Sequence, residues 1–160
     1  MEQAMTLDEH AEHDLNVESQ LLGTLSVPER QVYTFANGIY GFPHATRFAL
    51  LPAERDGFFW LQSLDSDALT FLLVDPFRFV EDYSVDLDPS EMGDFLPVEE
   101  SGVLILTTLT LPKEKGDEIT TNLQGPIALN VVQRFGRQIV IESPFGIRHP
   151  IDVSERGKAP

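Results

Sequence analysis

His10 and His13 stand three residues apart among Glu9, Glu12 and Asp14. On one helical face such a pair of imidazoles could hold zinc or nickel. Two ligands in a polar, acidic stretch do not close a metal site, and the segment reads as solvated chain. Ser143, His149 and Asp75 offer the residue types of a nucleophilic triad, but no Gly-x-Ser-x-Gly elbow presents the serine. His44 and His149 are isolated in sequence and read as hydrogen-bonded loop residues. Dinucleotide, Walker and His-Glu-x-x-His motifs are all missing. The chain has no cysteine, which removes disulfides, thiolate nucleophiles and Cys-ligated metals. It also fits a reducing compartment. The residues that could do chemistry therefore point away from catalysis, and no cofactor or metal is expected.

The strongest feature is charge. The 160 residues carry 26 Asp and Glu against 11 Lys and Arg, a formal net charge of −15. Such a surface repels phosphate and anionic lipid, so neither nucleic acid nor membrane is an expected partner. It attracts basic polypeptides. From Glu81 to Glu100 the chain holds Glu81, Asp82, Asp86, Asp88, Glu91, Asp94, Glu99 and Glu100 with no basic residue between them. One reading is a solvated face that aids solubility. The other is a docking surface for a cationic protein segment, with carboxylates as rim and nearby aromatics as apolar centre. On that reading the partner-contacting residues are Glu81, Asp82, Tyr83, Asp86, Asp88, Glu91 and Asp94.

The elements that must carry this face are short strands. Gln31–Phe35, Arg47–Leu51, Phe58–Leu64, Leu69–Val74, Val103–Leu111, Ile127–Val132 and Gln138–Ile141 are β-prone runs. Turn formers separate them, including Ala36–Pro43, Glu54–Gly57, Lys113–Glu118 and Phe135-Gly136-Arg137. Asp88 as N-cap, Pro89 at N1 and Glu91 at N3 predict a short helix running to about Leu96. The spacing predicts an all-β, mainly antiparallel fold. It would be a small barrel or a strongly curved sandwich with one or two short helices. Trp60 is expected in the core, given the area it must bury. Asn122 and Asn130 are expected to cap turns or bulges.

Positions 1–22 hold six acidic residues and no Lys or Arg. They lack the basic start and apolar run of a signal peptide. No apolar stretch approaches the ~18 residues of a membrane span. A cytoplasmic location follows as an expectation. The predicted organisation is an acidic flexible tail over 1–24, a folded domain over 25–152 and a flexible C-terminal tail over 153–160. Two other readings compete. One is a small-ligand barrel with Trp60 and Tyr40 lining a pocket; the other is a metal-handling protein using His10 and His13.

Five segments in one register resemble the flagellar assembly factor FliW family. They are Phe35-Ala-Asn-Gly-Ile-Tyr-Gly-Phe42, Trp60-Leu-Gln-Ser63, Phe71 to Tyr83, Asn122-Leu-Gln-Gly-Pro-Ile-Ala-Leu-Asn130, and Gly136-Arg-Gln138 through Arg148-His-Pro150. The match spans about residues 32–151. The first 22 residues lie outside it, and the loop Lys113–Glu118 is longer and more charged than the family pattern. The resemblance implies a β-barrel-like protein without catalytic activity. It implies two cytoplasmic partners: flagellin, and CsrA, a dimeric RNA-binding regulator that represses translation of flagellin mRNA. Secretion of flagellin would free the protein to sequester CsrA. For flagellin the expectation is a groove that takes an amphipathic terminal helix. For CsrA it is antagonism by an acidic surface docked close to the RNA, since screening at ~0.15 M salt leaves a reach of only ~8 Å.

Overall fold

In the computed structural model, which describes residues 13–97 and 102–154, the β-prone runs close into a barrel. Two strands precede it, β1 (Asp14–Ser19) and β2 (Gly23–Pro28). The barrel strands are β3 (Val32–Thr34), β4 (Arg47–Pro52), β5 (Phe58–Ser63), β6 (Thr70–Val74), β7 (Val103–Thr110), β9 (Ile127–Asn130) and β10 (Phe135–Gln138). Strands β8 (Thr120–Thr121) and β11 (His149–Pro150) extend the sheet at the end of β7. One helical turn, α1 (Pro89–Met92), leads directly into a 3-10 turn over Gly93–Phe95.

Strands β3 to β7 form a meander of antiparallel neighbours. The first half of β7 pairs with β9, and β9 pairs with β10, again antiparallel. Closure comes from a single parallel pairing, Phe135 of β10 with Thr34 of β3. A closed barrel leaves few free sheet edges, and that one-residue seam is where closure is thinnest.

Alternation along each strand fills the interior. Leu50, Leu61 and Phe71 share one row across β4, β5 and β6, and Phe35, Phe48, Leu73, Leu106, Ile127 and Leu129 complete the packed centre. With Leu61 inside, the period-two rule turns Trp60 outward. It lies half-buried in a row with Leu51 and Leu72, which corrects the expectation of a core tryptophan. Tyr40 is 66% exposed on the β3–β4 loop. Neither ring lines the interior, and that interior is packed with side chains, so the small-ligand barrel reading is set aside.

Within the expected tail over 1–24, residues 14–19 and 23–24 are strand. β1 and β2 form a hairpin in full register from Asp14↔Pro28 to Ser19↔Gly23. Val17 and Val27 are buried against Val32 and Ala49, with Leu15 and Leu25 beside them. Apolar residues at every second position supply one buried face, but each strand offers only two of them, Leu15 and Val17 then Leu25 and Val27, a run too short to stand out in the sequence. Residues 1–12, including His10, lie outside the described residues, as does most of the expected C-terminal tail.

The last strand is also shifted. Gln138–Ile141 is expected as a strand after a turn at Phe135-Gly136-Arg137, but β10 begins at Phe135 and the turn occupies 131–134. Asn130 causes this. Its Oδ1 accepts from the Val132 and Gln133 N–H groups at 3.0 and 2.9 Å, which bends the chain immediately after β9.

Candidate partner-binding groove

The acidic segment after β6 is a strap held at both ends. At its start Tyr83 is buried with Val80 and Leu123, and Val85, Ile141 and Phe145 pack around them. The Tyr83 hydroxyl donates to the Leu123 carbonyl at 2.8 Å. Burial pushes the phenol pKa up to about 12, because the phenolate would lose its water. At the far end Asn130 Nδ2 donates to the Phe95 carbonyl at 2.7 Å. Between these ties Met92 is buried, while the carboxylates project into solvent.

α1 forms as its residues dictate. The Asp88 carboxylate accepts from the Ser90 N–H at 2.9 Å and the Ser90 hydroxyl at 2.8 Å, and Pro89 opens the turn. Those two bonds hold the Asp88 carboxyl below its ordinary pKa. The turn ends at Gly93, whose φ of 56° lies in the left-handed region that a glycine adopts readily.

A groove of about 680 Å³ runs between this strap, β10 and the loop after β3. Asp86, Asp88, Glu91 and Asp94 line it. Tyr40, Phe135 and Val140 line it as well, exposed by 66%, 41% and 69%. Arg137 is the basic residue among its lining. The groove therefore joins carboxylates to exposed apolar surface, the pairing that a basic amphipathic segment needs.

A family model described as FliW protein matches residues 16–151. The chain belongs to the FliW family. The flagellar assembly factor FliW of Natranaerobius thermophilus is 33% identical over 147 residues, covering 91% of this chain and 97% of that protein. The FliW of Treponema pallidum is 35% identical over 127 residues, covering 79% and 84%. A crystal structure of a flagellar assembly factor FliW superimposes with a TM-score of 0.77 at 31% identity, covering 85% of this chain and 96% of that one.

The FliW-like loop Phe35–Phe42 forms the groove's end near β10. Gly38 has φ 67°, and a Cβ there would meet the Phe42 carbonyl at 2.3 Å, so only glycine fits. Tyr40 N–H donates to Gln138 Oε1, and Gln138 Nε2 donates to the Gly125 carbonyl, both at 2.9 Å. Two distant FliW-like segments thereby meet at one glutamine. Asn122 Oδ1 accepts from the Gln124 and Gly125 N–H groups at 3.0 Å each, the turn-capping role expected of it.

The seven candidate contacts separate into three groups. Asp86, Asp88, Glu91 and Asp94 share the groove. Glu81 and Asp82 are exposed but lie outside its lining. Tyr83, 7% exposed, is an anchor of the strap and is withdrawn as a contact residue. Sequence reasoning missed Tyr40, Phe135 and Val140 as groove residues; their only signal is an unusual apolar exposure, which the chain does not reveal before it folds.

Ser143, His149 and Asp75 have separate local tasks. Ser143 Oγ accepts from the Phe145 N–H, His149 stands edge-on to the Phe145 ring, and Asp75 caps a 3-10 turn through the Phe77 N–H. No hydrogen bond joins the three residues. Among the described residues there is no group of three or more metal-ligating side chains, and no helix is long and apolar enough to cross a membrane.

Proposed function

We propose that this protein is a flagellar assembly factor that binds flagellin and antagonises CsrA in the cytoplasm, relieving repression of flagellin mRNA translation by sequestering the regulator. It acts by binding and not by catalysis. The observation that carries this reading is the groove lined by Asp86, Asp88, Glu91 and Asp94 beside exposed Tyr40, Phe135 and Val140. An RNA-binding protein is basic where it holds phosphates, and docking an anionic body beside that surface repels RNA without covering it. Family membership supports the flagellar assignment, since the relatives described above carry that name.

The test mixes the protein with purified CsrA on a sizing column at low and high salt. A preformed complex of CsrA with flagellin leader RNA is then challenged with the protein. Co-elution that weakens with salt, with release of RNA, is expected. Separate elution with RNA retained would remove the CsrA part of the proposal. A parallel run with monomeric flagellin tests the other partner.

A further inference from the structure

Strand β10 keeps one edge open. Its ladder with β9 pairs Phe135 with Asn130 and Arg137 with Ala128, and continues past the strand as Ile139 N–H to Pro126 O and Ile141 N–H to Gln124 O. Main-chain groups alternate sides along an antiparallel pair. Those of Gly136, Gln138 and Val140 therefore point away from β9. On that side β3 pairs with β10 at Thr34 alone, where the Thr34 N–H donates to the Arg134 carbonyl. The chain then turns off: the Phe35 N–H goes to Thr46 O, and the Gly38 N–H goes to Phe35 O. The N–H groups of Gln138 and Val140, and the carbonyls of Gly136, Gln138 and Val140, consequently meet no partner among the described residues. All three residues border the groove that the four carboxylates line.

We propose that an extended segment bearing Lys or Arg, supplied by a partner polypeptide, adds to the outer edge of β10 as a further strand. It takes the place that β3 leaves after Thr34, and its basic side chains meet Asp86, Asp88, Glu91 and Asp94. The inference rests on the groove being the partner-binding surface and adds backbone pairing, which that reading does not itself require. A strand is favoured over a helix because a helix satisfies its own main-chain groups and would leave this edge unmet. A second copy of the chain is disfavoured by charge. It would bring another body of net charge −15 against these carboxylates. Phe135 and Val140, five positions apart and so on opposite faces of the extended chain, offer one apolar contact to each face of the incoming strand.

The probe is a peptide of alternating lysine and valine, with an alanine-rich helical peptide of equal charge as control. Amide exchange is followed by NMR on the full chain. On binding the alternating peptide, the Gln138 and Val140 amides should exchange at least about tenfold more slowly. Val140→Pro deletes a donor that β9 does not use, and should weaken that peptide by about tenfold or more, whereas Val140→Ala, which keeps the N–H and removes only the apolar contact, should weaken it much less. Binding with both amides still exchanging freely would overturn the proposal, and so would equal binding of the two peptides. A concentration-dependent dimer abolished by Val140→Pro would assign the edge to a second copy and also overturn it. If CsrA binds yet leaves Gln138 and Val140 unprotected in its complex, the pairing falls and the function above stands. If the alternating peptide protects both amides and CsrA does not bind, the function falls and the pairing stands.

Discussion

The ring of Phe35 lies directly on the backbone of Gly136. A Cβ at position 136 would sit 2.2 Å from the ring, far inside contact distance. This places a fully buried aromatic across the seam between β3 and β10, where one residue pair closes the barrel. Gly136→Ala should therefore destabilise the protein by overpacking, by about 1–3 kcal/mol. Chemical denaturation of the two proteins checks this. Unchanged stability would mean that the seam yields without cost.

Asn130 is buried and fully bonded: two N–H groups donate to its Oδ1, and its Nδ2 donates to Phe95 O and Gln133 Oε1. Asn130→Ala should cost about 1–3 kcal/mol, since it strands the backbone groups that the amide satisfied. It should also release the far end of the acidic strap. Limited proteolysis should then cut within 86–96 faster than in the parent, at a denaturant concentration well below unfolding. Equal cleavage would show that Asn130 does not hold the strap.

Tyr83 sets a pH limit. Its folded pKa of about 12 lies above the ordinary 10.0 of a phenol. Below pH 10 the phenol is neutral in folded and unfolded chains, and its contribution is fully present. Above pH 10 the unfolded chain ionises first, so stability falls as pH rises toward 12. Burial also raises the Tyr33 phenol, against the opposing charge of Arg134, so part of the alkaline loss belongs to that residue. Denaturation midpoints measured between pH 9 and 12 should fall less steeply in Tyr83→Phe than in the parent. The variant should also lose about 1 kcal/mol at neutral pH, from the bond to Leu123. Parallel pH curves would reject the assignment.

Charge reversal distinguishes the groove from the rest of the acidic face. Asp86→Lys, Glu91→Lys and Asp94→Lys together should weaken CsrA binding by about tenfold or more and flatten its salt dependence. Glu81→Lys with Asp82→Lys, outside the groove, should do much less. Both variants should stay within ~1 kcal/mol of parental stability, because exposed charges contribute little to folding. Asp88 is omitted from the set because it caps α1. Titration calorimetry reads the contrast, and equal effects from the two variants would move the interface away from the groove.

The sequence by itself determined the class of fold. Six of the seven β-prone runs became barrel strands, because alternation and turn formers act within a few residues, while the seventh, expected over Gln138–Ile141, formed earlier as β10 (Phe135–Gln138). It also determined the sign of the surface and the start of α1, where Asp88, Pro89 and Ser90 act on one another directly. It obscured the β1–β2 hairpin, whose buried face rests on only two alternating apolar residues per strand, Leu15 and Val17 against Leu25 and Val27. Tertiary structure alone decided which carboxylates work together. Tyr83 pinned to Leu123, and Phe95 pinned to Asn130, route the strap alongside β10, and both ties join residues at least 35 positions apart. The open edge of β10 arises in the same way, from a single pairing between Thr34 and Phe135. Charge and local propensity are properties of residues and can be read from the chain, whereas a groove is a relation between segments and exists only once long-range bonds have fixed their path.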